Sequence, residues 1–549
     1  MKKLLIIFLS FLIVTGCSDD FLETENKNLL DNSSFLKTEN DLIFATNAAY
    51  TSIAYWGIFG LNYFKIFNSL DSYIWFEGMS GFDIMNFNAS DNDIKELYAD
   101  LYYGLFRTSD ILSKMDGLKD KMSVEKYNEY EGQLKAIRGM CYFYLVTVFD
   151  TPIYYDETNI PTDALSGYKN GTREQFWTKL EEDLTFASTN LPTAYPSAET
   201  GRITKGAANA MLGKALLYKH YHYYLRFDKE DTPEAKANIE KSKDAFEAVM
   251  TSGNYALTLP AQKTKENYQA ALLANFSYID IPVGTNTYKA ENNKESLWEI
   301  QYNDNPGRNT NLPAYLMGGN MLSIYFSTHL SGYRNMVLDP ALWNEFEDVS
   351  AHPAGYTKDP RAYATCYVDG DLMDWRPESG YAIPFDGSLN TKGGLYTSVY
   401  TGFSLSKALG LKKYHYPTYN YGSAPAASPV NVRVIRYADV LLMYAEACYQ
   451  SDTDLAAGLT VLNEVRARVD MPAVADLNPK NIVHERNVEL ATEGLRYNDI
   501  IRWSYDTNFG INLSTMISSK FDPKKNMYLP IPQYEIDANK GALKQNPGW

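Results

Sequence analysis

Arg436-Tyr437-Ala438-Asp439-Val440-Leu441-Leu442-Met443-Tyr444-Ala445-Glu446-Ala447 sets Val440, Leu441, Tyr444, Ala445 and Cys448 on one apolar stripe, the spacing of a buried helix face. Leu455, Leu459, Leu462, Val465 and Val469 form the next stripe. Asn478 and Pro479 then suit the N-cap and first-turn positions of a helix expected to run to about Trp503. Helical pairs at this spacing point to a mostly α fold built of tetratricopeptide-like units, although that repeat's consensus is matched only loosely.

Working outward, the same periodicity predicts helices over Phe35–Trp56, Asp91–Met115, Ser123–Phe149, Thr172–Thr189, Thr204–Tyr224 and Pro233–Thr251. Thr172-Arg173-Glu174-Gln175 reads as a capping box, and Ser123 as a cap. Between about 257 and 431 the pattern breaks into short strand-like pieces such as Ser296–Tyr302, parted by Gly, Pro and Asn clusters. The expected organisation is a leader over 1–16 followed by a single body over 17–549. Helical scaffold at about 35–256 and 432–549 would carry a loop-rich region with short strands at about 257–431.

The N-terminus reads as a secretory leader: Lys2 and Lys3, an apolar run from Leu4 to Val14, then Thr15 and Gly16 before Cys17. The run is too short for a bilayer core, which needs roughly 20 apolar residues, and no second apolar stretch of that length follows. Without Lys2 and Lys3 the formal charge moves from −16 to −18, an acidic balance that argues against a nucleic-acid partner. Cys141 and Cys448 fall on apolar helical patterns, as buried thiols rather than a disulfide framework. The 44 tyrosines are suited equally to helix seams and to stacking on sugar rings.

Several segments in order resemble the SusD/RagB family of surface lipoproteins, which bind nutrients beside TonB-dependent transporters. They are the Arg436–Ala447 stretch, Leu462–Arg468, Glu485–Leu490, Glu493–Asp499 with Arg502-Trp503, Tyr528-Leu529-Pro530-Ile531-Pro532 and the closing Gln545-Asn546-Pro547-Gly548-Trp549. Gly201–Ala208 and Ala136-Ile137-Arg138-Gly139 match two earlier family segments. One departure is Phe149-Asp150-Thr151-Pro152, where the family usually has Phe-Gly-Asp-x-Pro. The resemblance implies a SusD-like fold and a lipobox at Val14–Cys17, with Cys17 lipidated. Ser18-Asp19-Asp20 looks like the signal for the outer face of the outer membrane. It further implies a glycan ligand and a SusC-like TonB-dependent transporter as partner. A peptide ligand of the RagB kind, and a helical-repeat scaffold with no small ligand, are the alternatives.

The chemistry-bearing patterns of the chain do not favour catalysis. Glu489 and Glu493 are expected on one helix face with Arg486, Arg496, Asp499 and Arg502, a ladder better read as a salt-bridge lattice than as a glycosidase pair. The histidines show no metal-type clustering beyond His220 and His222, which a strand but not a helix would put on one face, and Asp369, Asp371 and Asp374 make a weak calcium pattern, so no catalytic residue, metal or cofactor is expected. Ligand contacts are expected from rings and hydrogen-bonding groups on loops held by rigid helices. These are Trp56 at the end of the first helix, then Asp71, Tyr73, Trp75 and Phe76 in the following loop. From the middle region come Tyr302, Asn303, Asn305, Tyr315, Tyr325, Tyr333 and Arg334. Trp343 and Trp503 read as packing.

Overall fold

The computed structural model describes residues 36–76, 80–161, 167–303, 319–326, 336–367, 409–414 and 428–549. Side-chain caps decide where its principal helices begin. Thr38 accepts from the Asp41 N–H and starts α1 (Glu39–Ile53), four residues later than the pattern suggested. After α2 (Asn62–Ser69), Asp91 caps α3 (Asn92–Lys114) and Ser123 caps α4 (Val124–Phe149). The expected Thr172–Gln175 box opens α5 (Arg173–Asn190), Thr204 caps α6 (Lys205–Lys219), and Thr232 with Pro233 opens α7 (Pro233–Met250). Beyond Lys219 the backbone widens into a π turn, His220–Tyr224, that buries both His220 and His222.

Each helix from α3 to α7 packs on the next, and α7 packs on α8 (Tyr437–Ser451), which pairs with α9 (Leu455–Ala467). The α6–α7 contact is close because position 213 is glycine: a Cβ there would stand 2.7 Å from the Phe246 ring. Much of the tyrosine fills these seams. Tyr142, Tyr218 and Tyr221 are fully buried, and Tyr63 lies 5.0 Å from Tyr144 and 4.8 Å from Phe67. Cys141, Cys366 and Cys448 are buried free thiols. Among the described residues no helix is long and apolar enough to cross a membrane.

Short antiparallel strand pairs tie distant parts of the chain together. β1 (Ile74–Phe76) pairs with β3 (Met336–Leu338), and β2 (Ser296–Ile300) pairs with β4 (Val432–Arg436), which leads directly into α8. Trp75 and Phe76 therefore sit on a strand and not in a loop, with Trp75 opposite Val337. The sequence pattern could not show this because the partner strand lies in another part of the chain.

The helix expected to run from Pro479 to Trp503 is two helices, α10 (Pro479–Glu489) and α11 (Arg496–Trp503). Thr492 and Gly494 take positive φ (68° and 70°) in the turn between them, so Glu493 is not on a helix face with Glu489. Arg436 nevertheless reaches both, at 2.7 Å to Glu489 and 2.8 Å to Glu493. Arg468 and Arg361 also bind Glu489. Burial pushes the Glu489 carboxyl up, but these three guanidinium groups outweigh it and hold the group well below the usual carboxylate range. A second buried set joins Arg486 to Asp439 and Asp499, and Arg502 to Asp499 and Glu446. Tyr221 and the Trp503 indole also donate to Glu446. The charged ladder is thus a lattice that locks α8, α10, α11 and the end of β4.

The Asp150 substitution falls where glycine would be easiest. Asp150 ends α4 at φ 62°, and its carboxylate is held by Arg173 and by Arg226 at 3.0 Å. Pairing with two cations compensates for a backbone conformation that a side chain disfavours.

Candidate functional site

The turn after α1 is where described site residues from separate regions meet. α1 stops at Ile53, and Gly57 lets the chain press against α3: a Cβ there would lie 2.2 Å from the Glu96 carbonyl oxygen. The Gly57 N–H donates to Asp100 at 2.7 Å. Burial pushes the Asp100 carboxyl up to about 6, the Gly57 N–H opposing and the nearby Glu96 adding to the shift. On this support Trp56 is half-buried, its indole N–H donating to Asn62 Oδ1 at 2.9 Å, while Asn62 donates to Glu96 at 2.8 Å. The segment 319–326 docks onto the same turn through Met321 N–H to Gly60 O at 3.0 Å. That contact brings Tyr325 edge-on to Trp56, with centroids 6.0 Å apart and planes at 86°. Lys65, paired with Asp93 at 3.0 Å, stands 5.6 Å from the Tyr325 ring centre. The outcome is a braced aromatic corner with an ammonium beside it.

Tyr302 and Asn303 adjoin this corner in different roles. Tyr302 is buried, its N–H donating to Asn431 Oδ1 (2.7 Å) and its hydroxyl to Ala54 O (3.0 Å). It therefore ties the end of β2 to the end of α1 more than it offers a face to ligand. Asn303 is exposed at the rim of a hollow of about 380 Å³ that Tyr302, Asn47, Tyr50, Arg202 and Gln301 also line. Arg202, which binds Gln133, Asn47 and Glu199, was not among the expected site residues. Its signal lies inside the Gly201–Ala208 segment, which reads as scaffold.

Asp71 and Tyr73 face elsewhere. Asp71 is buried, accepting from the Tyr73 N–H (3.0 Å) and from Arg496 (2.9 Å). Its Oδ1 is thus already engaged by the α11 guanidinium and by the backbone of its own turn. Arg496 also lies 4.2 Å over the Tyr73 ring, whose hydroxyl donates to Glu345. Tyr73 lines a separate cavity of about 610 Å³ beside α10 and α11. Trp343 and Trp503 pack as expected, Trp343 edge-on to Tyr363 and Trp503 almost fully buried. Trp75 and Phe76 are described in backbone only. Asn305, Tyr315, Tyr333, Arg334, Cys17 and the Asp369–Asp374 group lie outside the described residues.

Helical pairs carrying an aromatic corner and polar hollows on connecting segments define the scaffold. The comparisons with known proteins specify it. The SusD family model matches residues 288–549, and a model described as "Starch-binding associating with outer membrane" matches residues 20–224. SusD-like protein P2 of Formosa agariphila is 24% identical, covering 100% of both chains. A SusD-like protein of Bacteroides ovatus is 22% identical over 91% of this chain and 82% of its own. Among solved structures, a SusD-like protein from Bacteroides fragilis superposes with a TM-score of 0.70 at 20% identity, covering 94% of this chain and 98% of that one. A laminarin-binding SusD-like protein gives 0.68 at 23%, covering 93% and 100%. Surface glycan-binding protein A from Bacteroides thetaiotaomicron, in complex with laminarihexaose, gives 0.67 at 20%, covering 93% and 99%. The chain belongs to the SusD/RagB family, and its fold is SusD-like.

Proposed function

We propose that this protein is a non-catalytic, cell-surface glycan-binding lipoprotein that captures an oligo- or polysaccharide for import through a SusC-like TonB-dependent transporter. The observation that carries the reading is the braced pairing of Trp56 with Tyr325 beside Lys65 and Asn62. Rings held by a rigid turn offer apolar faces to the C–H side of a pyranose, and nearby amide and ammonium groups suit its hydroxyls. The laminarin-binding relative, and others of the fold solved with laminarihexaose or a xylogluco-oligosaccharide, support a carbohydrate ligand. The outer-membrane association named by the N-terminal family model supports the location, and Cys17 supplies the anchor. The transporter follows from the family resemblance.

Calorimetric titration of the full-length protein against a panel of polysaccharides, oligosaccharides and peptides tests this. A glycan should bind without being hydrolysed, and Trp56→Ala should weaken binding by about 1 to 3 kcal/mol, by analogy with base stacking on aromatic side chains. Binding of peptides alone would transfer the protein to the peptide-uptake reading, and hydrolysis would make it an enzyme.

A further inference from the structure

We propose that the 193–204 loop and β2 form a second carbohydrate groove, continuous with the hollow at Asn303, that takes a neutral polyhydroxyl chain. The inference rests on the glycan reading above and names the ligand class and the path of its far end.

Next to the Asn303 hollow lies another of about 310 Å³, lined among others by Tyr195, Thr200, Asn254, Tyr255, Asn292 and Trp298. The two hollows share Glu199, Thr200, Gly201, Arg202 and Glu299, so they run on as one groove along the loop. Its walls are preformed. Lys205 N–H to Pro192 O (2.8 Å) closes the loop at its base, and the Thr204 hydroxyl that caps α6 also bonds the Tyr255 hydroxyl (2.9 Å). Gly201, at φ +97°, lies so near β2 that a Cβ would come within 2.3 Å of Gln301 Cγ.

Two features of this lining indicate the ligand. Trp298 is only 2% exposed, yet its indole N–H has no acceptor among the described residues, and the buried Tyr195 hydroxyl likewise has no partner. Both groups are shielded from solvent, so a hydroxyl-rich ligand in the groove reaches them by displacing the side chains that cover them; buried donors left without acceptors are costly, which favours that exchange. The charges of the lining, by contrast, are largely spent on one another. Glu199 pairs with Arg202 at 2.8 Å and the buried Glu299 with Arg433 at 3.0 Å, so apart from Lys294 and the part-exposed Glu199–Arg202 pair the polar surface is amide and hydroxyl. Such a surface matches a neutral sugar chain better than a uronate, a sulfated glycan or a peptide terminus. Ala54, which lines the first hollow, lies two residues before Trp56 in the chain, so that end of the groove is the one nearer the aromatic corner.

The test is calorimetry on the full-length protein with neutral trisaccharides and hexasaccharides, including laminari- and xyloglucan-derived ones, and with oligogalacturonate and oligoalginate of matching length. Tyr195→Phe deletes only the unpartnered hydroxyl, Thr200→Trp fills the shared stretch of groove from an exposed position, and Trp56→Ala serves as the comparison. Neutral hexasaccharides should bind the wild type more tightly than trisaccharides. Tyr195→Phe should weaken hexasaccharide binding by about two- to tenfold with an undiminished melting temperature. Thr200→Trp should abolish the advantage of length while trisaccharide affinity is kept. If both groove variants bind hexasaccharides as the wild type does while Trp56→Ala loses them, the groove is overturned and the glycan reading stands. If wild-type protein prefers uronates, the neutral class is wrong. If it binds no saccharide of either kind, both readings fall together.

Discussion

At position 291 a carboxyl is built into the support of the candidate site. Burial, opposed by the Asn431 N–H (2.8 Å) and reinforced by the Glu299 carboxylate, pushes Glu291 from its ordinary 4.5 up to about 8. The folded state thus keeps a proton that the unfolded chain releases within that window. Stability linked to this group is fully present below pH 4.5, falls as pH rises through the window, and stays low above pH 8. Glu291→Gln retains an oxygen that can accept from Asn431 and does not ionise. Its melting temperature relative to wild type should rise steadily from below pH 4.5 to above pH 8 in matched thermal melts, whereas a flat difference would mean that the carboxyl titrates normally. Asn431 also holds the Tyr302 N–H and Gln301, so the same group bears on the end of β2 that borders the hollows.

Among the elements, the junction of β4, α10 and α11 depends most on pairing between charges. Glu489 is buried under Arg436, Arg468 and Arg361, and removing one partner from such a set strands the others without solvent. Glu489→Gln should cost about 3 to 5 kcal/mol in urea unfolding. Asp110→Asn, which breaks the half-exposed Asp110–Lys114 pair one turn apart on α3, should cost less than about 1 kcal/mol. Equal costs for the two would remove the lattice from the account of how this region is held. Elements also show how far local patterns reach. Thr172, Ser123 and Asn478 act within three residues of themselves, and their helices begin where the pattern placed them. The break between α10 and α11 falls inside the helix expected from Pro479 to Trp503, where Thr492 and Gly494 take positive φ.

For the whole molecule, the proposed function needs the binding face held at the cell surface. A diacylglyceryl group on Cys17 would supply the tether, since each buried methylene contributes about 0.8 kcal/mol. Cys17→Ser should release the protein from the outer-membrane fraction in cell fractionation while leaving glycan affinity unchanged in solution. Retention of the Ser variant on membranes would require a different anchor.

What the linear chain determined by itself is whatever depends on near neighbours: helix starts set by capping side chains, apolar faces repeated every turn, and the ordered segments that carry the SusD/RagB resemblance. These need only contacts a few residues apart, so they are legible without a fold. Tertiary structure alone decided which rings meet. Trp56 and Tyr325 come together through a hydrogen bond from Met321 to Gly60, Trp75 acquires a strand partner at Val337, and Asp71 turns away to Arg496. A loop aromatic has no periodicity to betray its direction. Whether it faces ligand or core is fixed by where a remote segment docks, and that is a property of the packed chain.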